Sequence, residues 1–74
     1  MIQQESIAPD APIYIEREDG FQPSNCGQLQ QGYLFFINED GQLPQIKRAV
    51  SDPLPIVNRD KHIIEWHVEA TYEI

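Results

Sequence analysis

The clearest pattern in the chain is an alternation of apolar and polar residues over its last thirteen positions, from His62 to Ile74. One parity is apolar and consists of Ile64, Trp66, Val68, Ala70, Tyr72 and Ile74. The other parity is mainly acidic and consists of Glu65, His67, Glu69, Thr71 and Glu73. Because successive side chains of a strand point to opposite faces, the pattern predicts a strand from about Ile63 to Tyr72 with one inward apolar face and one acidic face.

A helix over the same segment is the alternative, and two observations count against it. Glu65, Glu69 and Glu73 would line one helical stripe, where like charges four residues apart repel each other. The segment is also rich in β-branched and aromatic residues, which favour strands. The whole chain has the same bias, with ten isoleucines against four leucines and four alanines.

The first half of the chain predicts one clear strand and one interrupted strand. Pro12–Arg17 has strand composition, and Glu18-Asp19-Gly20 closes it with a glycine suited to positive φ. Phe21-Gln22 starts a return strand that we expect Pro23 to end. Residues 1–11 have no period, so we expect a flexible N-terminal tail, in which Ile2 and Ile7 mark a short strand or a docking arm at most.

The second half predicts two hairpins. Asn38-Glu39-Asp40-Gly41 would close a hairpin between Tyr33–Ile37 and Leu43–Val50, with Gly41 at positive φ. Pro44 cannot donate to a ladder, so it predicts an edge strand or a bulge there. Asn58-Arg59-Asp60-Lys61 would join a short strand at Ile56-Val57 to the C-terminal strand.

These elements predict an all-β or β-dominated fold. We expect a single antiparallel sheet of four or five strands, curled into a half-barrel or small open barrel. Residues 12–74 would form one domain after the tail. At 74 residues the core is thin, since a chain of this size buries only about 60% of its unfolded surface.

Charge narrows the classes of partner. Twelve acids against five bases give a net charge of −7, which argues against nucleic acid and against anionic membranes. An acidic surface can instead dock on a basic site of another protein. No signal peptide or apolar spanning segment is visible, so we expect a cytoplasmic protein, including a host cytoplasm if the chain is a viral or plasmid product.

The residue pattern gives no support to catalysis. His62 and His67 are five apart and would point to opposite faces of a strand, while Cys26 has no histidine near it in sequence. A metal site built from Glu65, His67 and Glu69 is far less favoured than a solvated polar face. Glycines are isolated, without a phosphate-binding pattern. We therefore predict no enzyme activity, no catalytic residue, no metal site and no cofactor.

The sequence predicts a non-catalytic acidic protein-interaction module, an inhibitor or modulator that docks on a basic site of a partner protein. The predicted contact residues are Glu65, His67, Glu69 and Glu73 on the last strand, extended by Glu16 and Glu18 on the first. The alternative is a small structural subunit, a homo-oligomer or part of a larger complex, that assembles through sheet edges. The remaining contact surface would be a basic corner formed by Lys47, Arg48, Arg59 and Lys61.

Overall fold

A computed structural model describes residues 1–38 and 43–73 of the chain. Over these residues the fold is all-β, with seven strands in one antiparallel sheet and one short 3-10 turn. The strands are β1 (Gln3–Ile7), β2 (Ile13–Arg17), β3 (Gly20–Ser24), β4 (Leu34–Ile37), β5 (Lys47–Ala49), β6 (Leu54–Val57) and β7 (Ile63–Tyr72). The 3-10 turn is Cys26–Gln28. No helix in the described part of the chain is long and apolar enough to cross a membrane.

The strand order places β7 at the centre of the long-range pairing. The main path is β1-β7-β5-β4-β2-β3, and β6 pairs with β7 outside this path. Ala70 lies opposite both Gln3 and Ala49, so β1 and β5 flank β7 on opposite edges. His67 lies opposite both Ser6 and Leu54 in the same way. Strands β5 and β6 therefore follow one another along the same edge of β7.

The buried core lies on one face of this sheet. Nine residues form it: Ile7, Ile13, Ile15, Cys26, Leu29, Phe35, Ala49, Val68 and Ala70. Cys26 and Leu29 come from the 3-10 turn and its end, so this segment covers the apolar face that the strands present. Trp66 packs against the same cluster and lies beneath Gly27, where an added Cβ would be 3.8 Å from its ring.

Two of the predicted turns are present. Gly20 has φ +101°, as expected for the glycine that closes the β2–β3 hairpin. In the turn between β6 and β7, the Asn58 side-chain oxygen accepts hydrogen bonds from the backbone N–H groups of Asp60 (2.9 Å) and His62 (3.1 Å). Lys61 adopts φ 65° there, and the Lys61 N–H donates to the Asn58 carbonyl. Residues 39–42, including the predicted turn glycine Gly41, lie outside the described residues.

The predicted strand count and curvature are wrong. The described residues form seven strands rather than four or five, and the sheet is not closed into a barrel. One added strand is β1, in the segment predicted to be a flexible tail over residues 1–11. Its local pattern is weak, and it is a strand because Gln3–Ile7 pairs along β7. The other is β3, which was predicted only as a start at Phe21-Gln22 and continues through Pro23 because it lies at the end of the strand order.

The return strand predicted from Leu43 to Val50 is also shorter than expected. Strand β5 spans only Lys47–Ala49 and lies between β4 and β7, not at an edge. Pro44 is accommodated because the strand begins three residues after it. The antiparallel pairing itself is as predicted, with Leu34 opposite Arg48 and Phe35 opposite Lys47.

Candidate functional site

The outer face of β7 carries three of the predicted contact residues. Val68 and Ala70 are 1% and 2% exposed on the core side, which leaves Glu65, His67 and Glu69 on the opposite, outer face. Each has a cross-strand neighbour on that face: Ile56 beside Glu65, Leu54 beside His67 and Gln4 beside Glu69. The predicted burial is wrong at the start of the strand, because Ile64 is 51% exposed.

A short hydrogen-bonded chain orders this face. Nε2 of His67 lies 2.8 Å from Oε1 of Glu65, and Nδ1 lies 3.3 Å from the side-chain nitrogen of Gln4. A neutral imidazole with its proton on Nε2 satisfies both contacts, donating to the carboxylate and accepting from the amide. His67 therefore links Glu65 of its own strand to Gln4 of the neighbouring strand.

An open pocket of about 240 Å³, which we call the β7 pocket, borders this chain. Its walls include Gln4, Ser51, Asp52, Leu54, His67 and Glu69. Two of its groups are held by the backbone: Asp52 Oδ1 accepts the Gln31 N–H at 2.9 Å, and Ser51 Oγ accepts the Glu69 N–H at 3.0 Å. The pocket combines two carboxylates with an apolar side chain, so it suits a group with an alkyl stem and a cationic head.

Glu73, the fourth predicted residue of this face, is already paired. The Arg48 Nε atom lies 2.6 Å from Oε1 of Glu73, and Arg48 Nη1 donates to the Gly32 carbonyl at 2.9 Å. Both side chains of the pair are well exposed, so the pair contributes at most about 1 kcal/mol to stability. Its main effect here is to neutralise the acid at the end of β7.

Glu16 and Glu18 are separated from the β7 pocket. Glu16 lies on β2, with β4 and β5 between it and β7, and Glu18 lies in the turn after β2. Next to Glu16 the outer face is aromatic instead of acidic: Tyr14 and Phe36 stack with ring centroids 5.0 Å apart, and Phe21 lies 5.1 Å from Phe36. The structure brings together only Glu65, His67 and Glu69 from the predicted set.

The predicted basic corner divides into two parts. Lys47 Nζ lies 2.7 Å from Glu5 Oε1, and both side chains are largely shielded, at 14% and 20% exposure. Arg48 pairs with Glu73 as described. Arg59 and Lys61 lie instead in the exposed turn between β6 and β7. The two positive charges at the turn are thus separated from the two inside the sheet.

The lone thiol is shielded. Cys26 is 4% exposed, and this burial raises the pKa of the thiol from 9.0 to about 11. Its thiolate fraction near pH 7 is then about one in ten thousand, which is unfavourable for a nucleophile. Among the described residues, no group of three or more His, Cys, Asp or Glu side chains is arranged to hold a metal ion.

A second cavity, of about 460 Å³, lies between the end of β1 and the end of β4. Its lining includes Ile7, Ala11, Pro12, Ile37 and Asn38, with no titratable side chain. The β7 pocket is therefore the stronger candidate site.

Gln4, Ser51, Asp52 and Leu54 were missed by the sequence analysis. They come from three other segments, and only the pairing of β1 and β6 with β7 brings them beside His67 and Glu69. The alternation around Leu54-Pro55-Ile56 is too short to predict such a register. A comparison with protein-family models, with curated proteins and with solved structures finds no match for this chain.

Proposed function

We propose that the protein is a non-catalytic interaction module that docks the outer face of β7 on a basic site of a partner protein. The observation that carries the proposal is the β7 pocket, where Asp52 and Glu69 line an open cavity beside Leu54. Hydrogen bonds join Gln4 and His67, which line that cavity, to Glu65 beside it. Groups that are ordered in advance lose less entropy on binding.

The charge and chemistry of the pocket suit a lysine or arginine side chain of the partner. Its alkyl stem would lie against Leu54, and its cationic head would reach the carboxylates of Asp52 and Glu69. A net charge of −7 would speed the approach to a basic surface and make binding sensitive to salt. Inhibition or modulation of a basic site is the activity that such docking would produce.

A matched pair of charge reversals tests this proposal. The double variant Glu65→Lys, Glu69→Lys alters the β7 face, while Glu16→Lys, Glu18→Lys makes the same change in net charge on β2 and its turn. Wild type and both variants are used as bait in host lysate at about 50 mM and 500 mM salt, where screening differs strongly. Thermal melts verify that each bait is folded.

We expect proteins captured by wild type at low salt to be retained by the β2 variant and lost by the β7 variant. Equal loss with both variants would mean that capture follows net charge and not this face. Full retention by the folded β7 variant would overturn the proposal.

The second candidate is a structural subunit that assembles through its sheet edges, and the contrast between the two ends of the strand order favours it. Over the described residues the order ends at β1 and β3. Strand β3 carries Pro23, which cannot donate to a further ladder, whereas β1 has no proline and no basic residue to discourage pairing. An oligomer that survives the charge reversals on β7 would support this alternative.

A further inference from the structure

The β6–β7 hairpin differs from the rest of the sheet in what it exposes. None of the residues from Leu54 to Ile64 belongs to the buried core. Leu54, Val57, Ile63 and Ile64 are between 40% and 61% exposed, although all four are strongly apolar. Four apolar side chains exposed on one short hairpin are a feature of interaction surfaces.

The hairpin also has unlike charges at its two ends. Its turn carries Arg59 and Lys61 against Asp60, a net charge of +1 in a chain whose net charge is −7. Its root is the β7 pocket, with Asp52 and Glu69 in the wall and Glu65 hydrogen-bonded to His67 of the same wall. The strand from Ile63 to His67 spans about 14 Å at the usual rise of about 3.4 Å per residue, and Asp60 lies beyond it in the turn.

Three of the exposed apolar residues lie between these two ends, and Leu54 lies in the pocket. Ile63 and Ile64 begin β7 directly after the turn, and Val57 is opposite Ile63. A register shift between Ile56 and Val57 marks a bulge, which adds local twist between root and turn. The hairpin thus presents a basic end, an apolar middle and an acidic end in order.

We propose that two copies of the chain pair through this hairpin about a two-fold axis near Ile63 and Ile64. In such an isologous contact the turn of each copy meets the root of the other copy, so the same contact occurs twice. The Arg59 and Lys61 side chains of each copy would enter the β7 pocket of the other, while the apolar middles meet at the axis. The occupant is a second copy because its turn supplies both the charge and the alkyl stems that the pocket suits.

This pairing rests on the same pocket as the proposed function, and it makes the paired form a competitor of the basic partner. The eleven residues from Leu54 to Ile64 are few compared with the roughly 20–30 residues per subunit of a stable interface. We therefore expect a weak, concentration-dependent dimer that a better-fitting partner can displace. Self-pairing would cover the acidic pocket until that partner is present.

Charge reversal at the two ends gives a specific test by sedimentation equilibrium at about 20 mM salt and protein concentrations up to about 1 mM, where screening is weak. The turn variant is Arg59→Glu, Lys61→Glu, and the root variant is Glu65→Lys, Glu69→Lys. Wild type should move towards the mass of two copies as concentration rises. Each variant alone should stay at the mass of one copy, because its turn and root then carry the same sign.

An equimolar mixture of the two variants should recover the dimer. In the mixed pair, an acidic turn meets a basic root and a basic turn meets an acidic root, so both contacts become attractive again. A mixture that remains monomeric, or a wild type that is monomeric at about 1 mM, overturns this inference. So does a dimer that persists unchanged in both single variants, which would indicate edge pairing.

The matched control is Leu43→Asp, at a residue that is 91% exposed outside the hairpin, compared with Ile63→Asp inside it. Ile63→Asp should abolish the dimer, and Leu43→Asp should leave it unchanged. Failure of self-pairing leaves the lysate experiment intact, because that experiment measures capture of other proteins by the same acidic face. If the mixed variants recovered the dimer but the lysate experiment captured no partner, the pocket would serve self-pairing alone.

Discussion

The covered part of the sheet and the β6–β7 hairpin use the same residue types with opposite results. Ile13 and Ile15 on β2 are 1% and 0% exposed, whereas Ile63 and Ile64 on β7 are 40% and 51% exposed. The difference is cover: β2 has neighbours on both edges and contributes to the core that Cys26 and Leu29 complete. Apolar alternation along a strand indicates which way its side chains point, and the rest of the fold decides whether anything covers them.

The largest loss of stability is expected for Phe35→Ala, in the covered part of the sheet. Phe35 is 0% exposed, so its loss should cost about 3–5 kcal/mol, enough to unfold a domain of this size. Phe36 is the control, because it is half-buried on the outer face, and Phe36→Ala should cost about 1–2 kcal/mol. Urea denaturation followed by circular dichroism measures both, and equal costs would show that the outer face is as well covered as the core.

Trp66→Ala tests the junction between the covered sheet and the hairpin. Trp66 packs against the core cluster and under Gly27 while remaining partly exposed, so its removal should cost about 2–4 kcal/mol. Ile64→Ala, two residues towards the turn, should cost less than about 1 kcal/mol because Ile64 is already half-exposed. If Ile64→Ala lowered the melting temperature more than Trp66→Ala, the covered sheet would extend past Trp66 towards the turn.

The buried thiol should make the stability of the covered sheet fall in mild alkali. Above pH 9 the unfolded thiol ionises, while burial keeps the folded Cys26 protonated up to a pKa of about 11. The unfolded state then binds fewer protons, so the free energy of unfolding falls by about 1.4 kcal/mol per pH unit, about 2–3 kcal/mol in all by pH 11.

Cys26→Ala is the control for this prediction, because other groups also titrate in the same range. Urea midpoints of wild type and variant, measured in reductant from pH 7.5 to 11, should approach or cross as the wild type loses this contribution. Parallel curves would show that the thiol has no raised pKa and that the loop does not shield it.

The smallest effect is expected in the hairpin itself. Val57 is 54% exposed, so Val57→Ala should change the stability of a dilute sample by no more than about 0.5 kcal/mol. The same variant should weaken self-pairing at high concentration. A large loss of stability at low concentration would mean that the hairpin contributes to the core after all.

How far the sequence predicts this fold depends on the range of the interactions involved. The strand at Ile63–Tyr72, its acidic face and the turns at Gly20 and Asn58 follow from local patterns. Strand β1 does not, because Gln3–Ile7 becomes a strand only by pairing with residues near the other end of the described chain. The sequence also does not predict that Cys26 and Leu29 cover the core, because their segment has the composition of an exposed loop.

In the candidate site, too, local patterns were predictable and long-range pairing was not. Strand parity places Glu65, His67 and Glu69 on one face, and this part was predictable. The neutralisation of Glu73 by Arg48 required the register of β5 against β7, which no local pattern encodes. The distance of Glu16 from the site likewise follows from the strand order, since two strands lie between β2 and β7.

The pairing of β1 with β7 also sets the order in which the chain can fold. Gln3 lies opposite Ala70 and Ile7 lies opposite Trp66, so β1 has no partner until nearly all the described chain has left the ribosome. Pairing between such distant segments slows folding, because a long loop must lose entropy on closing before the contact stabilises the chain. Until β1 pairs with β7, Ile7 cannot pack in the core. The ion pair between Glu5 and Lys47 also cannot form until then. We expect β1 to join the sheet last, which makes its docking the step that a chaperone or a competing strand could intercept.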